Sequence, residues 1–169
     1  LLDARGAEVF LNAASELSSK IPGIQFAVTC AERREGLFRK LTREMNLESS
    51  VIFVPEARDL CSFLSVIDVF VLPSENPGVL SAVIRAQACG VPVVCLSNSS
   101  LPLYEEIKDG ETGCVIEGLD FFVFEEKTRH IAGTPETLKE YKRNTAGFSE
   151  KQHEMKKMLL SLKDLYQSD

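Results

Sequence analysis

The chain predicts an α/β fold: a doubly wound parallel sheet followed by helices. Two patterns carry this. Short β-branched or aromatic runs alternate with helix-periodic stretches every roughly 20 to 25 residues, the rhythm of parallel strands joined by right-handed crossovers. From Leu119 onward the apolar spacing is helical throughout. With 169 residues the chain suits one domain, 1–169, with a sheet core over 1–118 and closing helices over 119–169.

Each element has its own signal. Gly6 to Ser19 places Val9, Phe10, Ala13, Ala14 and Leu17 on one helical stripe, which Pro22-Gly23 ends. Ile24 to Thr29 reads as a buried strand. Glu32 to Asn46 reads as an amphipathic helix with Leu37, Phe38, Leu41 and Met45 inward. Strand Val51 to Val54 and helix Ala57 to Val66 follow. The central unit is then strand Val69 to Leu72, a Pro-Ser-Glu-Asn-Pro-Gly loop, helix Val79 to Cys89 and a Gly-Val-Pro turn. Strand Val93 to Leu96 leads into the polar loop Ser97 to Ser100, a short helix Leu101 to Ile107 and a last strand Gly113 to Ile116. The tail divides into helices Phe121 to Ile131, Glu136 to Thr145 and Ser149 to Gln167. Gly133-Thr134-Pro135 and Gly147 separate them, with Thr134 and Ser149 as N-caps.

One element is missing from this rhythm. The first strand of a doubly wound sheet lies at its centre, yet helical spacing begins almost at residue 1. Leu1-Leu2 are left as the stub of that strand, and an upstream segment or a partner strand is expected to complete the sheet. The start at Leu1-Leu2-Asp3, without Met, suggests a fragment of a longer protein.

Composition excludes several functions. Net charge is −6 and no Lys/Arg tract interleaves with aromatics, which argues against nucleic acid as a partner. The pairs Arg33-Arg34 and Lys156-Lys157 read as solvated helix faces. Cys30, Cys61, Cys89, Cys95 and Cys114 lie singly, without metal-ligand spacing. That pattern predicts reduced thiols in a cytoplasmic setting, each a small buried hydrophobe. No apolar run approaches the roughly 18 to 20 residues of a membrane span, and no signal peptide is visible. His130 and His153 read as surface histidines. No Ser-His-Asp set, Walker loop or metal-spaced carboxylate cluster is present.

The central unit also carries a resemblance. Asp68-Val-Phe-Val-Leu-Pro-Ser74 followed by Ala88-Cys-Gly-Val-Pro-Val-Val94 resembles the donor-binding heart of the GT-B glycosyltransferases, specifically the large family four (group 1) of retaining, nucleotide-sugar-dependent enzymes. Arg5 to Phe10 sits like the segment that opens the first helix of that family's C-terminal lobe. Val51 to Val54 is similar to its V-x-F strand, and Asp109 to Gly113 to its D-G-x-T-G turn. The weak motifs stand in the family's order along nearly the whole chain.

The resemblance implies a Rossmann-like donor lobe transferring sugar from a nucleotide-sugar to an acceptor held elsewhere, with no metal or other cofactor. It places Pro55, Glu56 and Leu60 beside the base, the amides of Val79, Leu80 and Ser81 near the diphosphate, and Arg5 on phosphate. Ser74, Ser99 and Ser100 join the rim. The implied partner is the absent N-terminal acceptor lobe or a partner subunit. The implied location is cytoplasmic, with peripheral membrane contact through that lobe as the other option.

The chain departs from the family at its most diagnostic positions. Two glutamates normally separated by seven residues fall on Pro77 and Arg85, and an arginine cannot accept hydrogen bonds from ribose hydroxyls. Glu75 lies two residues before the first of them and is the candidate substitute. The family's Gly-x-Gly turn is Cys30-Ala31-Glu32, whose Cβ atoms crowd a close approach to ligand. Two readings therefore stand: a transferase donor lobe, or a catalytically inactive binding or regulatory subunit of a transferase complex. An unrelated doubly wound domain is a third reading, disfavoured by the ordered motifs.

Overall fold

The computed structural model describes residues 4–29, 32–54, 60–73, 80–97, 106–118 and 120–152. In chain order these form α1 (Ala4–Lys20), β1 (Phe26–Thr29), α2 (Glu32–Glu44), β2 (Val51–Val54), α3 (Leu60–Leu64), β3 (Phe70–Leu72), α4 (Leu80–Ala88), β4 (Val93–Ser97), β5 (Gly113–Glu117), α5 (Phe121–Ala132) and α6 (Pro135–Gln152). The predicted alternation is thus observed.

All strand pairs are parallel, but the strands form two ladders. β1 pairs β2, with Phe26 opposite Val51, and β3-β4-β5 form a three-stranded sheet with Val93 between Phe70 and Gly113. β1 and β3 are not hydrogen-bonded to each other. The break falls where a doubly wound sheet carries its first strand.

Helices cover both faces because β4 is apolar on both. Val93 and Cys95 pack with Leu72, Leu64 of α3, and Val83 and Ala86 of α4. Val94 and Leu96 point the other way, onto Val9 and Ala13 of α1 and Phe124 and Ile131 of α5. Such continuous apolar runs are what a strand buried on both sides requires. α1 also turns Phe10, Leu11, Ala14 and Leu17 onto Phe26 and Val28 of β1, and Val71 of β3 packs against that cluster too. One helix therefore lies against both sheets.

The turn at Asp109 to Gly113 shows why those residue types stand there. Gly110 adopts φ +77°, a left-handed conformation that glycine adopts without a Cβ penalty. Gly113 lies so close to the Val93 backbone that a side chain has no room. Asp109 Oδ1 accepts the Val115 amide at 3.1 Å, and Thr112 Oγ1 accepts the Lys108 amide at 3.0 Å.

Four expectations need correction. The tail is not broken at Gly147: α6 runs unbroken through it, and Ser149 is a buried mid-helix residue rather than a cap. Packing on α4 and α5 outweighs the roughly 1 kcal/mol helix penalty of one glycine. Thr134 does cap α6, accepting the Thr137 amide at 3.2 Å. Leu37 is 49% exposed, because the α2 stripe facing β1 and β2 starts at Phe38. Cys61 and Cys89 are exposed on α3 and beside α4, whereas Cys95 and Cys114 are buried as expected and none of the four is in a disulfide. Ile107 is buried in non-helical backbone, while 101–105 of its predicted helix lie outside the described residues.

Candidate functional site

Ligands of open α/β sheets bind beyond the carboxyl ends of the strands. β1, β2, β3 and β4 end at Thr29, Val54, Leu72 and Ser97. The segments that follow are 30–31, 55–59, 74–79 and 98–105, which hold most of the expected contact residues. Pro55, Glu56, Ser74, Glu75, Pro77, Val79, Ser99 and Ser100 lie outside the described residues. Arg5 falls in the first turn of α1 and Leu60 opens α3, with side chains likewise outside the described part.

Helix α4 brings the remaining three together. Leu80 is its first residue, Ser81 its second and Arg85 lies four further on. All three are exposed, and the i,i+4 spacing puts Ser81 and Arg85 on one face. The first turn of a helix leaves amide N–H groups without intrahelical partners, and the macrodipole favours an anion there. These are the features a diphosphate needs. Arg85 makes no side-chain hydrogen bond or ion pair among the described residues, as is also true of Lys127, Lys139 and Arg143 on α5 and α6, whereas Lys20, Arg39, Lys40, Arg43, Lys108, Arg129 and Lys142 are paired. It lies in the last turn of α4, where a cation also suits the negative end of the helix dipole.

The position of α4 is set from the opposite end of the sheet. Gln87, fully buried, donates through Nε2 to Thr112 Oγ1 at 3.4 Å. Thr145 of α6 donates its hydroxyl to the Thr112 carbonyl at 3.1 Å. Gly90, at φ +71°, lets the end of α4 meet α6 beside Ala146. Lys142 of α6 pairs with Asp68 at 2.6 Å, just ahead of β3. Gln87, Thr112 and Thr145 thus tie α4, the turn before β5 and α6 together, so that the exposed first turn of α4 rests on a buried anchor. The sequence reading missed these positioning residues. The available signal was Gln87, a polar residue inside an otherwise apolar helix stripe.

A second polar contact locks α1 to α5. The Glu125 carboxylate, on a side chain only 7% exposed, meets Lys20 at 3.2 Å and Arg129 at 3.0 Å. Among the described residues no group of three or more His, Cys, Asp or Glu side chains is arranged to hold a metal. No helix among them is long and apolar enough to cross a membrane.

Comparison with known proteins decides the family. The profile of the glycosyl transferases group 1 matches residues 2–134, well over half the chain. The chain belongs to the group 1 glycosyltransferases. The D-inositol 3-phosphate glycosyltransferase of Mycobacterium marinum is 28% identical over 109 residues, which is 60% of this chain and 23% of that enzyme. The chain therefore spans about a quarter of the curated relatives it matches. Among solved structures, a mutant of S. aureus TarM in complex with UDP, Fondaparinux and alpha-GlcNAc-glycerol superposes with TM-score 0.84 at 15% identity, over 98% of this chain and 34% of TarM. The C-terminal domain of a group 1 glycosyl transferase (LpcC) from Francisella tularensis superposes with TM-score 0.76 at 18% identity, over 92% of this chain and 83% of that domain. The fold of this glycosyltransferase chain is accordingly that of a GT-B C-terminal lobe.

Proposed function

We propose that this lobe binds the nucleotide-sugar donor of a glycosyl transfer and that the acceptor is held by a second lobe or a partner subunit. The observation that carries the reading is the α4 unit. Its first turn, Leu80 and Ser81, is exposed at the carboxyl end of β3, beside Arg85, which has no ion pair among the described residues. Amides and a guanidinium together fit a diphosphate. The loops after β1, β2 and β4 supply the remaining walls, with Arg5, Pro55, Glu56, Leu60, Ser74, Val79, Ser99 and Ser100 on the donor and Glu75 as the carboxylate toward the sugar. UDP or UDP-glucose in solved relatives of the same fold supports a donor of this class. No metal is invoked: the cation and helix amides meet the diphosphate charge.

The replacement of both motif glutamates favours a second reading. With Pro77 and Arg85 in those places, the lobe works as a catalytically inactive binding or regulatory subunit of a transferase. Losing two hydrogen bonds to charged groups costs roughly 1.5 to 3 kcal/mol each, or one to two decades of affinity apiece. Thermal unfolding with a panel of UDP-, GDP- and ADP-sugars separates the readings. A bound donor at 100 times its dissociation constant adds about 2.7 kcal/mol, which raises Tm by roughly 5 to 10 °C. A flat response across the panel contradicts donor binding and leaves the subunit reading.

A further inference from the structure

We infer that the outer edge of β2 is a dimerisation surface, on which a second copy of this chain pairs antiparallel through Phe53 about a two-fold axis. The inference stands on the edge of the sheet and does not rest on the donor site.

Backbone direction carries the first argument. The Phe26 amide donates to the Ser50 carbonyl at 2.8 Å, and Phe26 lies opposite Val51 in a parallel ladder. Backbone groups alternate sides along a strand, so Ser50, Ile52 and Val54 face β1 while Val51 and Phe53 face away. Among the described residues no strand lies on that outer side. The Val51 amide is turned back onto the Leu47 carbonyl at 2.9 Å. Pro55, next after Val54 in the sequence, has no N–H. Phe53 is therefore the residue of β2 whose amide and carbonyl both remain to be paired among the described residues. An open strand edge of this kind is a template for another strand.

Register selects a second copy as the occupant. Two residues facing each other in an antiparallel pair exchange both N–H···O bonds, so Phe53 of one copy and Phe53 of the other satisfy each other. The same register sets Ile52 opposite Val54 of the second copy, once on each side of the axis. Side chains placed in this way come within about 4.5 to 5.5 Å at Cβ. Ile52 is 52% exposed and Val54 half-buried. Both point to the sheet face opposite Val51 and Phe53, and neither belongs to a core cluster. The pairing thus covers an exposed isoleucine with a β-branched neighbour. The edge itself, Val-Ile-Phe-Val, carries no charge, proline or glycine to oppose it.

Charge allows identical surfaces to meet. On the other face of β2 the Arg39 guanidinium lies 4.4 Å from the Phe53 ring centroid and is paired with Glu35. Lys40 is paired with Glu44, and Arg43 with Glu48, which precedes β2. Each copy brings these charges to the axis as neutral pairs, which removes the like-charge repulsion that identical surfaces otherwise meet. Val51 and Pro55 offer no donor for a shifted register. Once both edges are used, the contact closes as a dimer.

The test is sedimentation equilibrium of the 169-residue chain and of Ile52→Lys between about 10 µM and about 1 mM, the range a small interface reaches. Amide hydrogen exchange is followed by NMR over the same series. The unsubstituted chain is expected to pass from monomer to dimer, with exchange at Phe53 slowing in step with the dimer fraction and exchange at Ile52, already bonded to β1, unchanged. Ile52→Lys sets a charge against Val54 of the other copy and is expected to weaken dimerisation at least about tenfold. Thermal unfolding checks that the variant is folded, and Ile52→Thr, polar but β-branched, takes its place if lysine lowers Tm. A monomer at every concentration overturns the inference. So does a dimer of unchanged strength in the variant, or one in which exchange at Phe53 does not slow.

Discussion

Arg85 is the residue on which the proposed donor binding turns. It is exposed on the same face of α4 as Ser81, without an ion pair among the described residues, and the sequence resemblance implies that it stands in the place of a carboxylate that reaches the ribose hydroxyls. If α4 keeps its geometry, Arg85→Glu restores an acceptor for those hydroxyls and tightens donor binding about tenfold, the equivalent of one charge-assisted hydrogen bond. Isothermal titration with the best donor of the panel checks this. Unchanged or weaker binding shows that the arginine has taken another role, on phosphate or on an acidic loop. The buried anchor behind α4 was not legible from residue types alone. Thr112 and Thr145 are ordinary in composition, and only the close approach of Gly113 to Val93 and of Gly90 to Ala146 brings them together.

At the scale of elements, sequence periodicity places every described strand, and every described helix before α6, to within a few residues, because each has one clear apolar stripe or run. The error in the tail has a physical cause. The propensity of Gly147 by itself predicts a break, while α6 is held along its length by α4 and α5, and Thr145 is fixed in mid-helix through the Tyr141 and Thr112 carbonyls at 2.8 and 3.1 Å. A Cβ at Gly147 meets nothing within 4 Å. Gly147→Ala therefore stabilises α6 by about 0.5 to 1 kcal/mol, and thermal unfolding should show Tm rising by roughly 1 to 4 °C. A fall in Tm contradicts the continuous helix. The split sheet has a different signature: helical spacing precedes β1 as α1, and among the described residues β1 and β3 share no ladder.

For the whole molecule, the ionisable core sets an alkaline limit to stability. Burial pushes the Cys95 thiol from 9.0 up to about 12, with the neighbouring Cys114 and Asp109 adding to it. Burial likewise raises Cys114, with Asp109 adding. Burial takes the Tyr141 hydroxyl from 10.0 to about 12, with Cys114 and Asp109 again contributing. The native state thus holds protons that the unfolded chain releases. Their contribution is complete below pH 9 and is lost as pH rises from about 9 to 12. Urea unfolding at constant ionic strength should show a midpoint that falls across that interval, less steeply in Cys95→Val. A midpoint independent of pH there contradicts the buried placement of these groups.

The placement of the donor at the strand tips is tested most directly by amide chemical-shift mapping of the 169-residue chain during titration with a UDP-sugar. The account predicts saturable shifts at Thr29, Val54, Leu72, Leu80, Ser81 and Ser97, with Asp68, Gly90 and Thr112 at the opposite end of the sheet unmoved. Saturable shifts centred on that opposite end, or none at the strand tips with any nucleotide-sugar, contradict it.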